Sequence, residues 1–374
     1  MFENISENNR TAIFIGNSQS DWGNIAAWDP IDSISLSLKD SPELLINFVD
    51  QYTDKFIAGY ITYEYGVKQL EVPIHELKGH LPAAHFRVFD SYSKIDITEK
   101  NILSNWNRFT PTISKEKYKI DFEKIISLIN AGEFYQINYT HSLKSKTYAS
   151  PRNLFQSLWR KNQVGYSAYI EDDHWAIHSL SPEQFIEIKN GIIITRPIKG
   201  TVSRGKTTDE EDRNLKALLT NGKEQAELYM IIDLMRNDLG KVCQTGSVHV
   251  LESKGVQKLE KVFHTKGKIK GVLKKEIHPM KALLSMSPGG SISGCPKKRA
   301  CEMIYDMEKY PRGIYTGSIG YILPDNSYRF NIAIRTVVQE GKNLTLGVGG
   351  GITIGSQLED EFNETLSKAV SFQP

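Results

Sequence analysis

Apolar and polar positions along the chain alternate in short blocks with no sustained single period. Near the start, TAIFIG (11–16) and FIAGYITYEY (56–65) carry β-branched and aromatic residues between polar turns, which predicts strands. A stretch rich in turn signals over 91–114 marks a boundary. Beyond it the pattern predicts a helix over 115–131, strands from Tyr135, a helix over 152–161 and strands through Thr201. FIEIK (185–189), Asn190-Gly191 and IIITRPI (192–198) read as two strands joined by a two-residue type I′ turn. There follow one long helical segment over 209–239, a lysine-rich strand pair around 263–273, a helix after Pro296, and closing strands with one more helix. Strands joined by short turns outnumber strand–helix–strand crossovers, so the expected class is α+β with largely antiparallel sheets. The expected division is a strand-rich part over 1–110 and a second part over 111–374, the two forming one compact unit.

Composition narrows the partner. Lys plus Arg exceed Asp plus Glu by 46 − 44 = 2, too little for a field that holds a polyanion, so a small molecule is expected and nucleic acid is not. The eight lysines and two glutamates over 258–281 read as a solvated hairpin. MFENISENNR (1–10) has no basic flank or apolar stretch, and no run of about 18 apolar residues occurs, so neither a signal peptide nor a membrane span is expected. Cys243, Cys295 and Cys301 form no CxxC pair and are odd in number, which suggests no disulfide framework or zinc ribbon and points to the reducing cytoplasm.

Several clusters could carry chemistry. In SPGGSISGCPKKR (287–299) a glycine-rich loop runs into a helix with Pro296 suited to its first turn, and Lys297, Lys298 and Arg299 crowd the positive end of the helix dipole. That crowding implies an anion, a carboxylate or a phosphate, although the loop lacks the Lys and Ser/Thr of a Walker A motif. GVGGG (347–351) permits either close approach of a ligand or a tight turn, and precedes a helix opened by Ser356 and Glu359 as a capping box. On that helix Leu358, Phe362, Thr365, Leu366 and Ala369 form one face. Gln357, Glu361, Glu364 and Lys368 form the other, which the pattern alone assigns to solvent. Glu227 lies in the nearly apolar AELYMIIDLM (226–235) and is expected to be buried; a buried carboxylate must be paired, protonated or bound to metal, and two carboxylates from separate helices, Glu227 and Glu364, would suit Mg²⁺. Lys199 and Glu183 sit at the end of the predicted hairpin. An unbroken register sets Glu183 opposite Ile198, so Lys199 shares its face only if a bulge intervenes, for which Pro197 is the natural place.

Taken together, these segments resemble the chorismate-utilising enzymes, and among them the synthase components of aminodeoxychorismate synthases. The resemblance rests on GEFYQINYT (132–140), SPEQF (181–185), RPIKGT (196–201), AELYMIIDLMRNDLGKVC (226–243), PGGSISGCPK (288–297), PRGIYTGSIGY (311–321), IAIRT (332–336) and GVGGGI (347–352), with a looser match at GYITYEYG (59–66). It implies two large, mostly antiparallel sheets packed face to face with outer helices and a deep central cleft. By resemblance, Glu227 and Glu364 coordinate Mg²⁺, which holds the ring carboxylate of chorismate. Thr201, Tyr315, Arg335, the backbone at Gly349 and Gly350, and Lys368 would line the substrate site, and His264 would stand beside the reacting ring. Lys199 replaces the alanine of anthranilate-forming relatives and is implied to add covalently at C2. Gln136 stands where water-adding relatives use a lysine base, which argues against activated water.

The implied reaction has Glu183 protonating the departing 4-hydroxyl, Lys199 forming the adduct, and ammonia attacking C4. Because no cysteine sits in a G-x-C-x-G nucleophile setting, ammonia is expected from a separate glutamine amidotransferase subunit. Ser293 and Cys295 depart from the usual threonine and alanine, yet both are small. The L-L-E-S tryptophan motif of many relatives is absent, the nearest text being LLIN (44–47), so tryptophan feedback is not expected. C2 amination to anthranilate and a catalytically silent chorismate-binding scaffold are the competing readings.

Overall fold

A computed structural model describes residues 10–18, 20–97, 104–205, 207–258 and 262–374. Its strands form two ten-stranded antiparallel sheets. In the first, Gly294–Cys295, Gln136–Lys146, Asn343–Thr353, Thr336–Glu340, Trp175–Ser181, Tyr166–Glu171, Ala12–Ile15, Asn24–Ala27 and Ser93–Lys94 are successive neighbours, and Thr110–Pro111 also pairs with Gln136–Lys146. In the second, Ile192–Arg196 and Ile198–Ser203 both pair with Val262–Val272, which pairs in turn with His249–Lys258. From Ile192–Arg196 the sheet continues through Gln184–Lys189, Tyr328–Ile332, Ser318–Ile322, Phe56–Ile61 and Ala84–Phe89 to Asp32–Leu36. Strands from the first hundred residues thus complete both sheets.

Apolar alternation along these strands builds the core between the sheets. Phe14 of the first sheet meets Phe56 and Tyr321 of the second with ring centroids 6.4 and 4.7 Å apart. Each such buried ring is worth roughly 1.5–3 kcal/mol over its exposed state. The helix Pro151–Lys161 turns Leu154, Phe155 and Leu158 into a cluster with Val337, Leu344 and Leu346 of the first sheet, while Ile231, Met235 and Leu239 of Gly222–Val242 cluster with Ile193 and Ile269 of the second.

The predicted hairpin is present, with Asn190 at φ 51° and Gly191 at φ 72°, the two left-handed positions its turn demands. The long helix predicted over 209–239 is instead two helices, Thr208–Thr220 and Gly222–Val242. Asn221 leaves the helical region at ψ 106°, and its side chain accepts the Glu224 N–H (3.3 Å), so one residue ends the first helix and caps the second. Among the described residues no helix is long and apolar enough to cross a membrane.

Candidate active site

The glycine run is neither a turn nor a loop: it lies inside the strand Asn343–Thr353, paired residue for residue with Gln136–Lys146. Past Leu346 the neighbour on its other side, Thr336–Glu340, has ended, so that edge of the glycine backbone has no strand partner among the described residues. Lys368 Nζ reaches the edge and donates to Gly349 O (2.7 Å). Side chains at positions 347 and 351 would collide with their neighbours. A Cβ at Gly347 would sit 2.1 Å from Tyr315 Cγ, and one at Gly351 would sit 2.3 Å from Gln136 Nε2 and 3.6 Å from Lys199 Nζ. A Cβ at Gly350 would lie 3.2 Å from Glu361 Oε2 and 4.0 Å from Glu364 Oε1. Adjacent strand positions point to opposite faces, so the acids and the amide–amine pair approach bare backbone from its two sides.

Gln136, 1% exposed, leaves both amide atoms without a hydrogen-bond partner among the described residues. An orphaned buried amide costs roughly 1–3 kcal/mol, which a bound ligand can recover. Beside it, the half-buried Lys199 makes no ion pair or side-chain hydrogen bond among the described residues. Glu183 is buried on the same ribbon; its carboxyl accepts the Ser291 hydroxyl (2.8 Å) and the Ile198 N–H. Burial pushes it up to about 7, outweighing the Ser291 bond and the attraction of Lys199, so it holds a proton near neutrality.

The bulge that the sequence required is real but lies elsewhere than Pro197. Thr195 faces Ile269 and Ile198 faces Lys266, so the register passes Pro197 unchanged. Instead, Gln184–Lys189 slips by one residue against both its neighbours between Gln184 and Ile186, which returns Glu183 to the face of Lys199. A second slip falls at Gly200 (φ 62°), between Lys199 and Thr201. Thr201 pairs with His264 through its backbone; its side chain lies outside the described residues.

Of three further residues expected at the site, Arg335 alone carries charge near neutrality. Arg335 holds a left-handed backbone (φ 50°), and its guanidinium, held below its usual range by burial, has no acidic partner among the described residues. His264 is buried with Nδ1 3.4 Å from Gly200 O; burial first, then the Arg335 charge, lower it to about 4, so the ring is neutral at physiological pH. Tyr315 is pushed well above its ordinary value by burial. Behind them, Arg312 donates twice to Glu308 (2.6 and 2.7 Å) and also to the carbonyls of Asn138 (2.6 Å) and Ile292 (3.0 Å).

Glu227 lies on Gly222–Val242, which packs on Ile198–Ser203, and it is half-buried rather than buried. Glu364 is exposed and paired with Lys368 (2.7 Å), while Glu361 is buried and accepts from Ser356 Oγ (2.5 Å). Ser356 is therefore no helix cap; Gln357 holds that place, and the face assigned to solvent is partly a wall of the site. Among the described residues no three His, Cys, Asp or Glu side chains gather closely enough to enclose an ion. Glu227 and Glu364 carry oxygen donors, the ligand type that Mg²⁺ prefers.

The anion expected beside Lys297 is internal: Lys297 Nζ bonds the buried Asp238 carboxylate and Met286 O, and Arg299 pairs with Glu133 and Glu302. Pro296 is the N-cap of Lys297–Met307, not its first turn. Ser291 and Arg312 were legible only as motif letters and Glu361 only as one position on a helix face; the Ser291–Glu183 bond and the reach of Arg312 to Asn138 O join segments far apart in the chain.

Residues 103–374 match the family model of the chorismate binding enzymes. The chain is 35% identical over 265 residues to aminodeoxychorismate synthase component 1 of Bacillus subtilis, covering 71% of this chain and 56% of that protein. It is equally similar, 35% over 261 residues, to anthranilate synthase component 1 of Lactococcus lactis, covering 70% and 57%. It thus spans a little over half the length of these relatives. The crystal structure of anthranilate synthase component I from Streptococcus pneumoniae superposes with a TM-score of 0.82 at 25% identity, over 98% of this chain and 93% of that one. The chain belongs to the chorismate binding enzymes.

Proposed function

We propose that the protein is the synthase component of an aminodeoxychorismate synthase, converting chorismate and ammonia to 4-amino-4-deoxychorismate for 4-aminobenzoate and folate synthesis. The observation that carries this reading is an amine without internal partners: Lys199 Nζ stands beside the orphaned amide of Gln136 and on the ribbon of a carboxyl that is protonated near neutrality. Arg335 and Tyr315 would receive the substrate carboxylates, the former by charge-assisted hydrogen bonds. The lone pair of Lys199 Nζ bonds to C2, the ring double bonds shift, and the C4–O bond breaks as Glu183 gives its proton to the departing hydroxyl, releasing water. Ammonia then bonds to C4, the double bonds shift back, and the C2–Nζ bond breaks. The proton shed by the new amine returns to Glu183. Glu227 and Glu364 would hold Mg²⁺, which when bound supplies charge for a substrate carboxylate.

Ammonia would come from a separate glutamine amidotransferase subunit. Relatives named component 1 support a partner, and the cysteines here are poor nucleophiles: burial pushes Cys243 up to about 11 and raises Cys295 and Cys301. The anthranilate reading stays in contention because those relatives are equally similar. Product identity separates the two. With chorismate, Mg²⁺ and excess ammonium, the purified chain should yield 4-aminobenzoate only when an aminodeoxychorismate lyase is added; fluorescent anthranilate without the lyase would assign it to C2 amination.

A further inference from the structure

Residues 62–66 lie outside the region that matches the family model, yet they reach the loop that carries Tyr315. The short helix Tyr63–Val67 is capped by Thr62 and places Glu64, 3% exposed, against residues 312 and 313. One carboxylate oxygen accepts the Arg312 N–H (2.6 Å) and the other accepts the Gly313 N–H (3.0 Å), while Tyr63 N–H donates back to Gly313 O (2.9 Å). Further along the same loop, Thr316 N–H donates to Ala333 O and Ala333 N–H to Gly317 O, both at 2.9 Å, so the loop is stitched to the segment that ends in Arg335. The Tyr315 side chain meanwhile closes on Gly347, where a Cβ would fall 2.1 Å from its Cγ.

We propose that Glu64 is a positioning residue for the substrate carboxylate site, its two oxygens fixing loop 311–317 so that Tyr315 and Arg335 hold their places. The proposal rests on the reading that those two residues meet the substrate. A neutral side chain could not replace it, because both acceptors are needed at once and the Arg312 guanidinium is already taken by Glu308. Burial raises the Glu64 carboxyl to about 7 against the pull of the two N–H donors and of Arg312. Titratable groups facing the same small cavity are Arg312, Glu308, Cys301, Tyr305, His75 and Tyr63, with Tyr310 at its rim. Protonation turns one acceptor into a hydroxyl, so the clamp is complete above about pH 7 and loosens as pH falls.

The test uses the full chain carrying Glu64→Gln, which keeps the shape but offers one acceptor oxygen, with Glu64→Asp as a second variant should the first fold poorly. KM for chorismate should rise about ten-fold while kcat stays within about two-fold, the mark of lost binding rather than lost chemistry. The wild-type KM should fall as pH rises through about 7, and that dependence should vanish in Glu64→Gln. Amide hydrogen exchange at Arg312 and Gly313 should quicken in both variants. An unchanged KM accompanied only by a lower melting temperature, or unchanged exchange at these two amides, overturns the proposal. If the wild-type chain fails to consume chorismate, the functional reading falls, and the exchange measurement still decides the clamp.

Discussion

Two sets of polar side chains, one around Arg312 and Glu308 and the other comprising Gln136, Lys199 and Arg335, are built to opposite rules. In one, Arg312 and Glu308 are locked in a double hydrogen bond, and every remaining reach of Arg312 ends on a carbonyl or hydroxyl of its own chain. In the other, Gln136 has no partner, Lys199 has no acid within pairing distance and Arg335 has no counter-ion, all among the described residues. The first cluster uses charge to hold the fold. The second leaves charge and hydrogen-bonding capacity unspent, which is sensible only if a ligand supplies what is missing.

That contrast can be broken by substitution. Lys199→Ala should abolish C4 amination while chorismate binding persists, measured by product formation alongside calorimetric titration; amination that survives would remove the covalent step. Glu183→Gln should lower kcat by about 10²–10⁴, the usual yield of general acid catalysis. In the wild type the acid is present below about pH 7 and lost as pH rises through it, so log kcat should decline on the alkaline side; a flat profile there would mean another proton donor. Stability should show the same sign, because a carboxyl raised from 4.5 to about 7 on folding costs stability as pH climbs through that window, by up to about 3 kcal/mol.

The sharpest pairing sets Glu308→Ala against Arg335→Ala. Removing Glu308 strands a buried guanidinium and should cost about 3–5 kcal/mol in urea unfolding. Removing Arg335 breaks no internal bond, so the melting temperature should hold or rise while KM for chorismate increases by the equivalent of about 1.5–3 kcal/mol, the worth of hydrogen bonds to a charged group. Equal destabilisation by the two substitutions would erase the distinction between closed and open clusters.

The elements were legible where local chemistry dictates them. Asn190-Gly191 fixed its turn, and the helix expected over 115–131 is present as Lys115–Asn130. What could not be read was long-range. The slip after Gln184 is set against Tyr328–Ile332, from a distant part of the chain, as well as against its own hairpin partner, and the glycine run became a strand because Gln136–Lys146 pairs along its whole length. The helix face carrying Glu361 looked solvated because the strand that covers it is not a helical neighbour. The expected site residues came from resemblance more than from periodicity, and Glu64, in the loosely matching part, came from neither.

The way the early strands enter both sheets has a consequence for how the molecule is made. Ala58 of Phe56–Ile61 finds its partner in Tyr321 and Gln184 finds Asn331, so central ladders join segments separated by much of the chain. Loop-closure entropy must be met before such pairings reward it, and folding rates fall as sequence separation grows. On a ribosome the hydrophobic edge of Phe56–Ile61 is finished hundreds of residues before Ser318–Ile322 exists to cover it. The nascent chain therefore carries an open sheet edge until Ser318–Ile322 has emerged, and its yield in the cell should depend on chaperone capacity far more than the depth of its finished core suggests.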